Sequence, residues 1–145
     1  GNGRQVLMVA SEYARSDDAL RRLLKDSGCI VLEGYVPNLE QIYAMSDCYV
    51  FPVKPGHTIL TPLSVLEAMA CNLPVITRRF EGLQELFADG EGLHFVDSDE
   101  ELLQAVQALE TSSTEACTRD KVAPYSWRIV ADQVEQLYQE LLGEL

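Results

Sequence analysis

Phe51-Pro52-Val53-Lys54-Pro55-Gly56-His57-Thr58-Ile59-Leu60-Thr61-Pro62-Leu63-Ser64-Val65-Leu66-Glu67-Ala68-Met69-Ala70-Cys71-Asn72-Leu73-Pro74-Val75 reads as a strand, a long loop, a helix, a turn and a second strand. Thr61 suits a helix cap and Pro62 the first helical position, with the helix running to about Cys71. Asn72 tolerates the left-handed backbone of the turn that follows. A strand, a helix and a strand in succession is the unit of a parallel sheet.

The same alternation extends in both directions. Short apolar runs at 6–10, 29–32, 48–53, 74–77 and 93–96 are too apolar for half-exposed antiparallel strands. Between the first two, Ser16, Asp17 and Asp18 offer caps for a helix carrying Leu20, Leu23 and Leu24, which Gly28 closes. Asn38 caps a helix with Leu39, Ile42 and Tyr43, a short helix covers 81–88, and Ser98 caps one striped by Leu102, Val106 and Leu109. Residues 111–115 form a Ser/Thr-rich loop. Ser126 caps a final helix over about 126–142, where Trp127, Val130, Val134, Leu137, Tyr138 and Leu141 recur at three-four spacing. The expected fold is α/β: a Rossmann-like open parallel sheet of about five strands with helices on both faces, in a single domain covering 1–145.

Composition restricts what such a domain can bind. The 145 residues carry 11 Lys plus Arg against 23 Asp plus Glu, a formal charge of −12, with 47% hydrophobic residues. Residues 1–80 hold 8 acids and 8 bases, whereas 81–145 hold 15 acids and 3 bases, so the excess lies in the rear. That half disfavours nucleic acid and anionic lipid, while the neutral front can hold an anion. The apolar runs fall far short of the ~20 residues of a membrane span, and the opening residues do not read as a secretory signal. Cys29, Cys48, Cys71 and Cys117 fit neither a zinc ribbon nor a disulfide scaffold and are expected as buried, reduced thiols of a cytoplasmic protein.

In an open parallel sheet, ligands bind beyond the carboxyl ends of the strands. In the quoted stretch, Thr61, Ser64 and Glu67 make a polar stripe on an otherwise apolar helix, starting at its N-terminus. Unpaired N–H groups and a partial positive charge there suit a phosphate, and a carboxylate one turn deeper can accept two neighbouring ribose hydroxyls. By spacing alone, Glu67 better suits the solvated face of a half-buried helix. His57 either touches sugar or phosphate or is an ordinary loop histidine. Lys54 and Arg78-Arg79 either supply phosphate cations or flank their strands as surface charges. His94 lies in an apolar strand and reads as structural; Asp97, Asp99, Glu100 and Glu101 read as helix capping and solvation, with no metal implied.

The segment Leu66-Glu67-Ala68-Met69-Ala70-Cys71-Asn72-Leu73-Pro74-Val75 resembles the LEAMA-x-G-x-PV signature of the group 1 (family 4) glycosyl transferases. Gly34-Tyr35-Val36-Pro37, Ile42-Tyr43, Ser46-Asp47, Pro52, Glu81-Gly82-Leu83-Gln84-Glu85, Asp89-Gly90 and Tyr125-Ser126-Trp127 follow the same family's pattern in the right order. The resemblance implies the carboxyl-terminal, nucleotide-sugar-binding domain of a retaining glycosyltransferase of GT-B fold, working without metal or other cofactor. Glu67 would hold the ribose; backbone near Leu60, Thr61, Leu63 and Ser64 would face the diphosphate; Tyr35, Val36 and Pro37 would lie against the base. Lys54, His57 and Arg78 remain as sugar or phosphate contacts.

The family's other glutamate, eight positions before Glu67, is Ile59 here, so the catalytic residue is unassigned. The family's diphosphate-binding Arg and Lys would precede the first strand. The amino-terminal acceptor domain is expected on a longer parent chain or a partner subunit, and this chain alone is not expected to be a complete enzyme. The alternative is a non-catalytic glycosyltransferase-like module that binds nucleotide or protein. The apolar face of the last helix, with Trp127 and Tyr138, offers a surface for self-association.

Overall fold

The computed structural model describes residues 3–10, 18–54, 61–111 and 116–143. Its elements are β1 (Leu7–Ala10), α1 (Asp18–Asp26), β2 (Ile30–Glu33), α2 (Leu39–Met45), β3 (Tyr49–Phe51), α3 (Leu63–Ala70), β4 (Val75–Arg78), α4 (Leu83–Leu86), β5 (Leu93–Val96), α5 (Asp99–Thr111), α6 (Thr118–Val122), a 3-10 turn (Ala123–Tyr125) and α7 (Trp127–Gly143). All five expected strands are present and every strand pair is parallel. They form two ladders, β1-β2 and β3-β4-β5. The chain divides into two compact units, Gly1–Leu39 and Glu40–Leu145.

In the amino-terminal unit β1 and β2 pair in register from Leu7 opposite Ile30 to Ala10 opposite Glu33, and α1 packs on β2. Gly28 ends α1 as expected. At φ 85 it lets its own N–H reach the Lys25 carbonyl at 2.9 Å and the Cys29 N–H reach that of Leu24 at 3.0 Å, a Schellman closure. No described residue of this unit is fully buried.

The carboxyl-terminal unit holds the core. Val75, Ile76 and Thr77 of the central strand are all 0% exposed. Successive strand residues point to opposite faces, so both faces of the ladder are covered, and α3 and α5 are helices in contact with β4. The buried Thr77 hydroxyl is satisfied by the Phe51 carbonyl on the neighbouring strand at 3.2 Å. Met69, Leu83 and Leu93 complete the innermost layer.

Helix ends follow the sequence in some places and correct it in others. The N–H of Glu101 donates to Ser98 Oγ at 3.1 Å and Glu101 accepts from the N–H of Asp97 at 2.8 Å, so Ser98 caps α5 as predicted. Asn72 takes φ 60, with its N–H on the Met69 carbonyl and the Leu73 N–H on that of Ala68. Pro62 rather than Thr61 is the cap of α3, at φ −66 and ψ 119, and the helix begins at Leu63. The reason is that Pro62 is extended and its carbonyl already receives the N–H groups of Val65 and Leu66. Asn38 has φ 58, whereas a capping residue is extended, so it turns the chain into α2 instead of capping it.

Two further differences concern the rear of the chain and the thiols. The segment after the Ser/Thr-rich loop contains α6, which the sequence did not suggest. Its buried Thr118 hydroxyl donates to the carbonyls of Leu73 at 3.0 Å and Met69 at 3.3 Å, fastening α6 to the end of α3. The four cysteines are free, but Cys29, Cys48 and Cys71 are half-buried and Cys117 is exposed, so the expectation of buried thiols is corrected. Cys117 precedes α6 on the surface side of that fastening.

Candidate functional site

The loop after β3 leads into α3, and the two ends of this connection carry most of the predicted site. Lys54 is exposed just beyond β3, and residues 55–60, with His57, Ile59 and Leu60, lie outside the described residues. Thr61 is half-buried, Leu63 exposed and Ser64 half-buried. Among the described residues no side chain caps the N-terminus of α3, where the positive end of the helix dipole lies.

Ser64 and Glu67 lie three residues apart, so they share one side of α3. Beneath them lies a tyrosine pair. The Tyr43 hydroxyl, from α2, is 3.3 Å from Glu67 Oε2 and 3.3 Å from the Ser64 carbonyl. Tyr49, from β3, lies beside it. The two rings meet edge to face with centroids 5.8 Å apart, and Tyr49 continues into Phe51 at 6.4 Å. Burial, then the neighbouring Tyr49 and Glu67, push the Tyr43 phenol above its ordinary value; burial does the same to Tyr49. Both hydroxyls therefore keep their protons, and Tyr43 donates to the Glu67 carboxylate.

Glu67 itself is exposed. Among the described residues no lysine or arginine forms an ion pair with it, and Tyr43 is the donor on its carboxylate. A carboxylate offers about four acceptor positions, so the group retains capacity for a ligand's hydroxyls.

The cations at the end of β4 are occupied. Arg78 donates to the Asp97 carbonyl and pairs with Asp99, and Arg79 pairs with Asp97 at 3.2 Å while lying 5.6 Å over the Phe95 ring. These contacts bind the end of β4 to the start of α5, and they account for two of the acids read as capping and solvation. In the amino-terminal unit, Gly34 turns at φ 85 after β2 and presents Tyr35, 88% exposed, followed by half-buried Val36 and exposed Pro37. An aromatic ring that open can stack on a planar ligand.

Sequence reasoning placed Tyr43 as an apolar residue of α2 and within the family resemblance, with no polar role. The available signal was its hydroxyl, since a buried tyrosine needs a polar partner, but nothing in the spacing named Glu67 as that partner. Asn72 was read for its backbone alone, yet its Oδ1 also accepts the Arg119 N–H at 3.2 Å.

Comparison with known proteins gives one consistent result. The family described as Glycosyl transferases group 1 matches residues 3–112. No curated protein matches the chain. Among solved structures, sucrose-phosphate synthase from Thermosynechococcus elongatus superposes with a TM-score of 0.73 at 27% identity, covering 96% of this chain and 39% of that one. HepE from Anabaena, solved in complex with UDP-glucose, gives a TM-score of 0.61 at 18% identity, covering 96% of this chain and 40% of its own. A GtfA/B complex gives 0.63 at 20% identity, covering 97% and 29%. The chain thus spans about two fifths or less of the length of these structures.

Proposed function

The chain belongs to the group 1 glycosyl transferases, and we propose that its part in the reaction is to bind a nucleotide diphosphate sugar as donor for a transfer that retains the anomeric configuration. Glu67 accepts the two ribose hydroxyls. The start of α3, from Thr61 to Ser64, receives the diphosphate, whose charge in the departing nucleotide it stabilises. Tyr35, Val36 and Pro37 lie against the base. Lys54 and His57 are the remaining candidates for sugar or phosphate contact, and Arg78 would have to release Asp99 to join them. No cofactor or metal takes part in this reading.

The observation that carries it is the carboxylate of Glu67, held by Tyr43 one turn inside a helix N-terminus that no described side chain caps. The complexes of HepE with UDP-glucose and UDP support uridine diphosphate as a first probe. Titration of the chain with UDP should release heat, and Glu67→Ala should weaken binding by about tenfold or more, since a hydrogen bond to a charged group contributes about 1.5–3 kcal/mol. Equal affinity in the variant would refute the ribose role.

The acceptor site and the rest of the catalytic machinery belong to an amino-terminal domain of the parent chain or to a partner subunit. One observation favours a second reading, a non-catalytic nucleotide- or protein-binding module: Ile59 stands where the family has a glutamate. Turnover of a nucleotide sugar by the parent protein separates the two. The α7 face carries Trp127, 81% exposed, with Leu137, Tyr138 and Leu141 also open, which supports self-association through it. Light scattering that returns a monomer at high concentration would oppose this.

A further inference from the structure

The Tyr43 hydroxyl does more than satisfy its own burial. It comes from α2, reaches the Ser64 carbonyl and Glu67 Oε2 at 3.3 Å each, and so spans one turn of α3 from beneath. The ring is fixed: it is 7% exposed and lies edge-on to Tyr49. Glu67, by contrast, is an exposed side chain with several rotatable bonds, and no described cation restrains it. An unrestrained glutamate samples several rotamers and loses that freedom when it binds a ligand.

We propose that Tyr43 is the positioning residue of this site: by donating to one oxygen of Glu67 it holds the carboxylate in a single rotamer, leaving the other oxygen to receive the ribose hydroxyls, and so sets preference for ribonucleotides over 2′-deoxyribonucleotides. The inference rests on the ribose reading of Glu67. It assigns Tyr43 no contact with the ligand, since its hydroxyl lies below α3 and is already shared between two acceptors. Burial keeps the phenol protonated at ordinary pH, so the restraint does not titrate away.

The test uses calorimetric titration of the whole chain with UDP and with 2′-deoxy-UDP. The expected preference for UDP is about tenfold, the order of one hydrogen bond to a charged group. Tyr43→Phe keeps the ring and its packing; it should lower UDP affinity several-fold and 2′-deoxy-UDP affinity by less, since only the 3′-hydroxyl contact with Glu67 is left there, and so shrink the preference. Tyr125→Phe removes a tyrosine hydroxyl in the same unit away from the site, where its ring packs on Phe87, and should leave the preference intact. In a Glu67→Ala background, Tyr43→Phe should cost nothing further, a non-additivity that general loosening of the fold would not produce.

Two failures are distinguishable. If UDP does not bind, or Glu67→Ala keeps the preference, the ribose reading falls and the proposal with it. If Glu67→Ala abolishes the preference while Tyr43→Phe keeps it, or if the two substitutions are additive, Glu67 binds ribose without help and the positioning role is wrong. Should Tyr43→Phe fold poorly by circular dichroism, the same non-additivity is read with Tyr43→Leu, which also removes the hydroxyl.

Discussion

The N–H of Arg119 donates to Asn72 Oδ1 at 3.2 Å, joining α6 to the turn that ends α3 across 47 positions of sequence. A residue tolerated at φ 60 is here also an acceptor that glycine cannot provide. The two roles predict different costs. Asn72→Gly keeps the backbone and loses a bond of about 0.5–1.5 kcal/mol. Asn72→Ala loses the bond and adds a left-handed penalty of about 1–2 kcal/mol. Urea unfolding should rank both below the parent and the alanine variant as the less stable; a glycine variant as stable as the parent would show that the side-chain bond is irrelevant, and the reverse order would contradict the left-handed strain.

Gly92 presents the opposite situation, a glycine required for space as well as for φ. It sits at φ +94, and a Cβ there would lie 2.7 Å from Ala116 Cβ and 3.1 Å from Thr118 Cγ2. Gly92→Ala should therefore combine backbone strain of about 1–2 kcal/mol with overpacking of about 1–3 kcal/mol. Gly28→Ala, at φ +85 with nothing within 4 Å, should carry the strain alone. Thermal unfolding of the two variants side by side measures the difference; equal loss would mean that α6 yields freely.

Alkaline pH should destabilise the chain through two of its 6 tyrosines. Tyr43 and Tyr49 are both raised from 10.0 in the folded state, chiefly by burial. The folded form therefore holds their protons where the unfolded form has released them, so the stabilisation is complete below 10.0 and is lost as pH rises above it. Tyrosinate absorbance should show these two groups titrating late and together with unfolding, and Tyr43→Phe should flatten the alkaline slope. An unchanged slope in that variant counts against the burial argument.

The cysteines should react in order of access. Cys117 is exposed and should be alkylated first; Cys48 is half-buried, and burial followed by the nearby Asp47 raises its thiol above 9.0, which suppresses the reactive thiolate. Mass spectrometry of a time course with iodoacetamide should find Cys48 modified well after Cys117. Labelling of Cys48 ahead of Cys117 would contradict both the exposure and the direction of the shift.

The alternation of apolar runs and helical stretches was enough to read five parallel strands, because each run is apolar on both faces and β4 proves buried on both. Gly28, Ser98 and Asn72 were legible because each acts through its own backbone or its nearest neighbours. Tyr43 was not, since its partner lies 24 positions away and only the packing of α2 under α3 brings them together. The same holds for Arg78 and Arg79: sequence showed two free cations at a strand end, and tertiary structure pairs them with Asp99 and Asp97 across 21 and 18 positions. Thr61 was misread as a cap for a local reason, the extended Pro62 taking that place.

The amino-terminal unit, in which no described side chain is fully buried, has a consequence for how the chain breathes. Opening it exposes little apolar surface, so its free energy of opening is a small fraction of that needed to open the β3-β4-β5 ladder. Backbone amides of Met8 and Val31 should exchange with solvent deuterium long before that of Ile76. The loop bearing Tyr35 is thereby carried on a weakly protected part of the molecule. A ligand that engages it spends part of its binding free energy on ordering, and its arrival should be visible as slowed exchange throughout β1 and β2.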